Sequence, residues 1–177
     1  MTVSAPARAT SPTLSLSLSL DGNLLVLSGA GSSDLAVDVP ELAALTAAER
    51  RVLSARSVPT TTGLGAVITP LLRHLAQIGP SRDDLPERRR MAQVLRGLLS
   101  ALAAERVEGG LGGVPATNSD RVAVLAMQIV YERLDDPRLT SSEIASVLGV
   151  SVRTVQTAFR ASGTSVRDVI ATLRSER

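Results

Sequence analysis

The spacing of apolar and polar positions changes along this chain, and each change marks an element. Leu14-Ser-Leu-Ser-Leu-Ser-Leu20 alternates at every step, the period of a strand with one covered face. Asp21-Gly22-Asn23 follows, and then a second apolar run from Leu24 to Leu27. The pair predicts a β-hairpin; two strands are marginal alone, so it needs a partner surface. Gly29 to Ser33 reads as a loop whose G-x-G lacks the third Gly of a dinucleotide fingerprint. Beyond Pro40 the spacing becomes helical. Thr46-Ala-Ala-Glu49 is a capping box that opens a helical stretch to about Arg56. A helix is predicted roughly from Leu64 to Ile78, with Pro70 as a kink or restart. Another, from about Pro86 to Val107, carries Met91, Val94, Leu95, Leu98, Leu99 and Leu102 in one stripe. If its neighbour is broken at Pro70, that stripe exceeds what the neighbour needs, and a homodimer through the helix pair is predicted. Glu108 to Ser119, with GGLGG and a Pro, reads as a flexible linker.

The clearest pattern lies between Arg121 and Arg177. Asp120 is placed to cap a helix that carries Val122, Leu125, Met127, Ile129 and Val130 and runs to about Leu134. Asp135, Asp136 and Pro137 stop it. Thr140-Ser-Ser-Glu143 is a second capping box. The short helix it opens has Ile144 and Leu148 on one face with Ala145 beside them. Gly149 then stands where a helix end wants a left-handed residue. Val150 is a buried-type plug, and Ser151 caps the next helix, whose Val155 and Phe159 lie four apart and face inward. Its remaining positions, Arg153, Thr154, Gln156, Thr157 and Arg160, are polar and are expected to face outward. This is the punctuation of a helix-turn-helix, which delivers one helix into a DNA groove. Arg and Gln make bidentate hydrogen bonds to guanine and adenine edges. Arg160, near the helix end, and Arg174 are placed where the duplex backbone passes.

The stretch LTSSEIASVLGVSVRTVQTAFRASGTSVRDVIATLRSER resembles the first helix-turn-helix of the AraC/XylS family of bacterial transcription regulators. Leu139, Ile144, Ala145, Gly149, Ser151, Phe159, Arg160, Gly163, Ser165 and Arg174 fit the family pattern. The resemblance implies base contacts from Arg153, Gln156 and Thr157. Val166 stands where the family usually has Pro, and Thr157 where Arg is common. The family's second helix-turn-helix has no counterpart up to Arg177. The order of strands, Val39-Pro40 with Leu42, then Gly63, Leu64, Ile68 and Leu71 and a helix pair, is more loosely similar to the segment joining sensor barrel to DNA-binding domain in that family. There the pair commonly dimerises. The expectation is a shortened regulator.

Composition trims the alternatives. The chain has 177 residues and is 44% hydrophobic, enough for one core or two small ones. Its aromatic residues are Tyr131 and Phe159 alone, which argues against single-strand and RNA readers built on stacking. All 19 basic residues are Arg, and the net charge is only +2. The basic bias is local: beyond Pro137 six Arg face three acids. With no Cys there is no disulfide, thiolate metal site or thiol nucleophile, which suits the cytoplasm. With no Lys there is no P-loop lysine or Schiff base. His74, the one histidine, has Arg73 beside it and no companion set for catalysis or metal. Arg88-Arg89-Arg90 reads more readily as a solvated face than as a contact with phosphate or an acidic partner, and no stretch is long and apolar enough for a membrane helix.

The expected fold is mainly α: a disordered tail at 1–13, a β-hairpin remnant with a helical linker and dimerisation region at 14–107, a flexible linker at 108–119 and a helix-turn-helix bundle at 120–177. The expected function is sequence-specific binding of double-stranded DNA by a transcription regulator. It uses no cofactor, metal or catalytic residue, and its DNA-binding set is Ser151, Arg153, Thr154, Gln156, Thr157, Arg160 and Arg174. The alternative is a non-catalytic dimerising module that modulates a full-length homologous regulator.

Overall fold

Three antiparallel pairings and a run of helices make up the computed structural model, which describes residues 15–18, 24–29, 32–39, 45–55, 57–78, 85–109 and 116–175. The expected tail, the turn at 21–23 and residues 110–115 of the expected linker lie outside the described residues. The fold is mainly α. Strands β1 (Ser15–Leu18) and β2 (Leu24–Gly29) form the expected hairpin, pairing Ser15 with Ser28 and Leu18 with Leu25. The hairpin is not alone. Strand β3 (Ser32–Asp38) pairs antiparallel with β2, and β4 (Val58–Pro59) pairs with β1, giving the order β3-β2-β1-β4. Residues 32 and 33, read above as loop, therefore begin a strand. Its first three residues are polar, so its apolar alternation starts only at Leu35 and is short.

Helix α1 (Ala47–Ser54) opens with the expected capping box. Thr46 Oγ1 accepts from the Glu49 amide at 3.3 Å, and Glu49 Oε2 accepts from the Thr46 amide at 2.8 Å. Helix α2 (Gly63–Ile78) runs unbroken through Pro70. A proline inside a helix removes one backbone hydrogen bond. Here Pro70 and Ala66, the residue whose carbonyl is released, are both exposed. Gly65 is required for contact: a Cβ there would lie 1.9 Å from the Pro59 carbonyl oxygen.

Helix α3 (Leu85–Val107) lies against α2 along its apolar stripe. Leu95, Leu99 and Leu102 are buried within the chain, Met91 and Leu98 are half-buried, and only Val94 is exposed. The stripe is thus largely covered by the unbroken α2 and by other elements of the same chain. Of the surplus expected from a break at Pro70, only Val94 is left exposed among the described residues.

Helix α4 (Asn118–Glu132) begins earlier than expected, because Thr117 and not Asp120 is its N-cap. Thr117 Oγ1 accepts from the Asp120 amide at 3.1 Å and donates to the Asp120 carboxylate at 2.8 Å. Helices α5 (Ser141–Leu148), α6 (Val152–Ala161) and α7 (Val166–Ser175) complete the chain. Helix α4 packs against α1 and α3 as well as against α5 and α6. One apolar core therefore runs from Val37 in β3 to Leu173 in α7.

A polar seam crosses the α1–α3–α4 junction. Arg106, only 3% exposed, donates to the carbonyls of Val52 at 3.1 Å, Leu53 at 2.9 Å and Ser57 at 3.1 Å. Those carbonyls include the unsatisfied end of α1. Arg51 pairs with Asp120 of α4, and Arg121 donates to the Val107 carbonyl at the end of α3. Arg96 lies over the Tyr131 ring at 5.9 Å. Burial pushes the Glu49 carboxyl up, against the opposing pull of Ser100, Thr46 and Arg96. Partial burial also disfavours ionisation of Asp120, but hydrogen bonds from Arg51 and Thr117 outweigh it and hold that carboxyl below its usual range.

Candidate nucleic-acid interface

The turn between α5 and α6 is built by local chemistry. Thr140 is in extended conformation at the N-cap of α5, and its hydroxyl accepts from the Glu143 amide at 3.3 Å. At the other end Gly149 adopts φ +65° and ψ +30°. The Val150 amide then reaches back to the Ala145 carbonyl at 3.0 Å, closing the helix end. A Cβ at Gly149 meets nothing within 4 Å, so glycine is favoured there by backbone conformation and not by crowding. Ser151 caps α6 by accepting from the Thr154 amide at 3.1 Å.

Helix α6 is sharply two-sided. Val155, Ala158 and Phe159 are buried, and Phe159 is the largest fully buried side chain of the described residues. Burying one such aromatic contributes roughly 1.5–3 kcal/mol. The orientation of α6 is therefore set by apolar packing against α4 and α5. Arg153, Gln156, Thr157 and Arg160 are all exposed on the other side. Among the described residues, none of these four side chains is held by a hydrogen bond or ion pair. Arg153 and Gln156 are three positions apart and Gln156 and Arg160 four, so they follow one helical face.

Three expected site residues, Ser151, Thr154 and Arg174, make side-chain hydrogen bonds within the chain. Thr154 is half-buried, and its hydroxyl shares a 2.7 Å hydrogen bond with that of Ser151. Both hydroxyls are thus engaged in shaping the start of α6. Arg174, expected at the duplex backbone, donates from Nε to the Leu134 carbonyl at 3.0 Å and from Nη2 to the Asp136 carbonyl at 2.6 Å. It latches α7 onto the turn between α4 and α5. Its carbonyl partners lie about 40 residues upstream, which is why local spacing could not assign them.

One exposed arginine beside these residues lies outside the expected set. Arg167 of α7 is exposed and, with Arg174, borders a cleft of about 460 Å3 that also holds Thr140 and Ser141 at the N-terminus of α5. A helix N-terminus beside a guanidinium favours an anion. Arg167 stands seven residues before Arg174, a two-turn spacing that could have drawn attention to it. His74 is exposed on α2, remote in sequence from all of these residues. No helix of the described residues is long and apolar enough to cross a membrane.

Compared with protein-family models, curated proteins and solved structures, the chain matches none.

Proposed function

We propose that the chain is a sequence-specific double-stranded DNA-binding transcription regulator, similar to the AraC/XylS family and acting in the cytoplasm, with α6 entering the major groove. The observation that carries this reading is the two-sidedness of α6. Its apolar side locks it in place, while Arg153, Gln156, Thr157 and Arg160 stand outward with no side-chain hydrogen bond or ion pair among the described residues. Base edges in the major groove are the surfaces that Arg and Gln read by paired hydrogen bonds. Arg153 and Gln156 read bases, and Thr157 adds a weaker contact. Arg160 and Arg167 hold phosphates. Ser151 and Thr154 position the helix.

A lone helix-turn-helix usually needs a second copy for useful affinity. The helix pair offers Val67 on α2 and Val94 on α3, 53% and 57% exposed, as the apolar contact of a homodimer. Leu95 is fully buried, so a charge there would damage the monomer itself; Val94→Arg is the cleaner variant. Sedimentation at micromolar concentration should give a dimer for the native chain and a monomer for Val94→Arg.

The test of the reading is selection of a preferred duplex from a random pool, followed by salt titration. Arg160→Ala should weaken all duplexes alike and lower the salt slope by about one unit. No binding to any duplex at low salt overturns the proposal. If the purified chain then captures a full-length homologous regulator, it is a dimerising interaction module instead.

A further inference from the structure

A second surface lies where α3, α4 and α5 meet, and none of the residues assigned to DNA takes part in it. It is an open groove of about 780 Å3. Its floor is apolar, formed by Ala101 and Ala104 of α3, Leu125 and Ile129 of α4, and Val147 and Leu148 of α5. Val147 leaves 49% of its surface exposed, one of three large apolar side chains of the described residues to do so to that degree. Every charged residue lining the groove is a carboxylate: Glu105, Glu108 and Glu132. Of the arginines close to it in sequence, Arg133 is exposed beside Glu132 and two others are occupied elsewhere. Arg106 is buried against α1, and Arg121 donates to the Val107 carbonyl.

This chemistry selects its occupant. Three carboxylates around an apolar floor repel nucleic-acid phosphates and anionic lipid headgroups, so the groove is no extension of the DNA face. They attract a cationic partner that also has apolar surface to bury. The α3 wall from Ala101 to Glu108 spans two helical turns, about 10 Å. A groove of that length between helices takes the apolar face of a short helix.

We propose that this groove docks a basic amphipathic helix of a partner protein. Apolar side chains of the partner, one turn apart, sit on Leu125, Val147 and Leu148, and its Arg or Lys residues pair with Glu105, Glu108 and Glu132. With three rim charges and a short floor the contact is a transient one, formed and broken readily.

The test uses the full chain and a fluorescein-labelled helical peptide of about 14 residues, with Leu one turn apart and Arg on its flanks. Two control peptides carry Glu in place of Arg, or the same residues in scrambled order. Fluorescence anisotropy should show binding of the Arg peptide, none of the Glu peptide, and at least about tenfold weaker binding of the scrambled one. Val147→Gln should weaken the Arg peptide about tenfold. The triple variant Glu105→Gln, Glu108→Gln, Glu132→Gln should do the same and flatten the salt dependence. Circular dichroism melts check that both variants fold. Equal affinity for ordered and scrambled peptides, or unchanged affinity in both variants, overturns the proposal. So does a native dimer that Val147→Gln dissociates, which assigns the groove to a second copy. Loss of duplex binding in the folded variants assigns it to nucleic acid and likewise overturns it.

Discussion

Arg106 and Arg153 are the same side chain in two regions that use it differently. In the seam under α1, Arg106 is buried and meets three backbone carbonyls. On the outer side of α6, Arg153 is exposed and its side chain makes no hydrogen bond or ion pair among the described residues. The seam consumes its guanidinium donors in holding helices together. The α6 face leaves its own unengaged among the described residues. A count of arginines therefore says little about DNA; the distribution of their acceptors says more.

That contrast can be broken by mutation. Arg106→Ala should have the largest effect, removing charged hydrogen bonds and leaving buried carbonyls unpaired, at a cost of about 3 kcal/mol or more in urea denaturation. Its duplex affinity per folded molecule should be unchanged. Arg153→Ala should do the reverse. Stability should stay within about 0.5 kcal/mol, while duplex affinity falls by about 1–3 kcal/mol and preference relaxes at one base pair. Equal melting losses in the two variants would erase the distinction between the regions.

Gly149 sharpens the comparison from the side of the backbone. A Cβ there has open space, so the penalty of Gly149→Val is conformational, about 1–2 kcal/mol or somewhat more for a β-branched residue. Gly149→Asn should cost distinctly less, because Asn tolerates the left-handed region. If both variants melt alike, crowding and not φ governs the turn.

The smallest effect concerns pH. Asp120 has a folded pKa below its ordinary value of 3.8. Its contribution is complete above that ordinary value and is lost as pH falls through the folded pKa. Asp120→Asn should thus be less stable than the native chain at neutral pH, and the gap should narrow on acidification below about pH 4. Glu49 acts in the opposite sense. Its raised pKa favours the fold below 4.5 and loses that contribution as pH rises through the folded value. Because Glu49 is common to both proteins, the difference between the two curves isolates Asp120.

What was legible in the sequence was local. The caps at Thr46, Thr140 and Ser151, the left-handed Gly149 and the inward Val155 and Phe159 each depend on neighbours within a few residues. The unread features depend on distant ones. Strand β3 exists because β2 offers it an edge, although its own first residues are polar. Asp120 looked like a cap because Thr117 lay inside a Gly-rich stretch read as linker. Arg106 sits between Glu105 and Glu108 at a helix end, a pattern typical of a solvated turn; only the arrival of α1 buries it. Arg174 appeared available for phosphate until the Leu134 and Asp136 carbonyls came within reach. The outward face of α6 was readable because it needed no partner at all.

The two-sided packing of α4 has a consequence for portability. DNA-reading units of this size are often handled as cassettes, cut out and grafted onto other carriers. Here the first helix of the cassette also walls the rest of the molecule, against α1 and α3. An excised 116–175 piece would carry into water an apolar flank that the intact chain keeps dry, and Asp120 would leave its Arg51 behind. A chimera meant to carry the proposed DNA specificity needs α1 and α3 carried along, or a redesigned outer flank on α4.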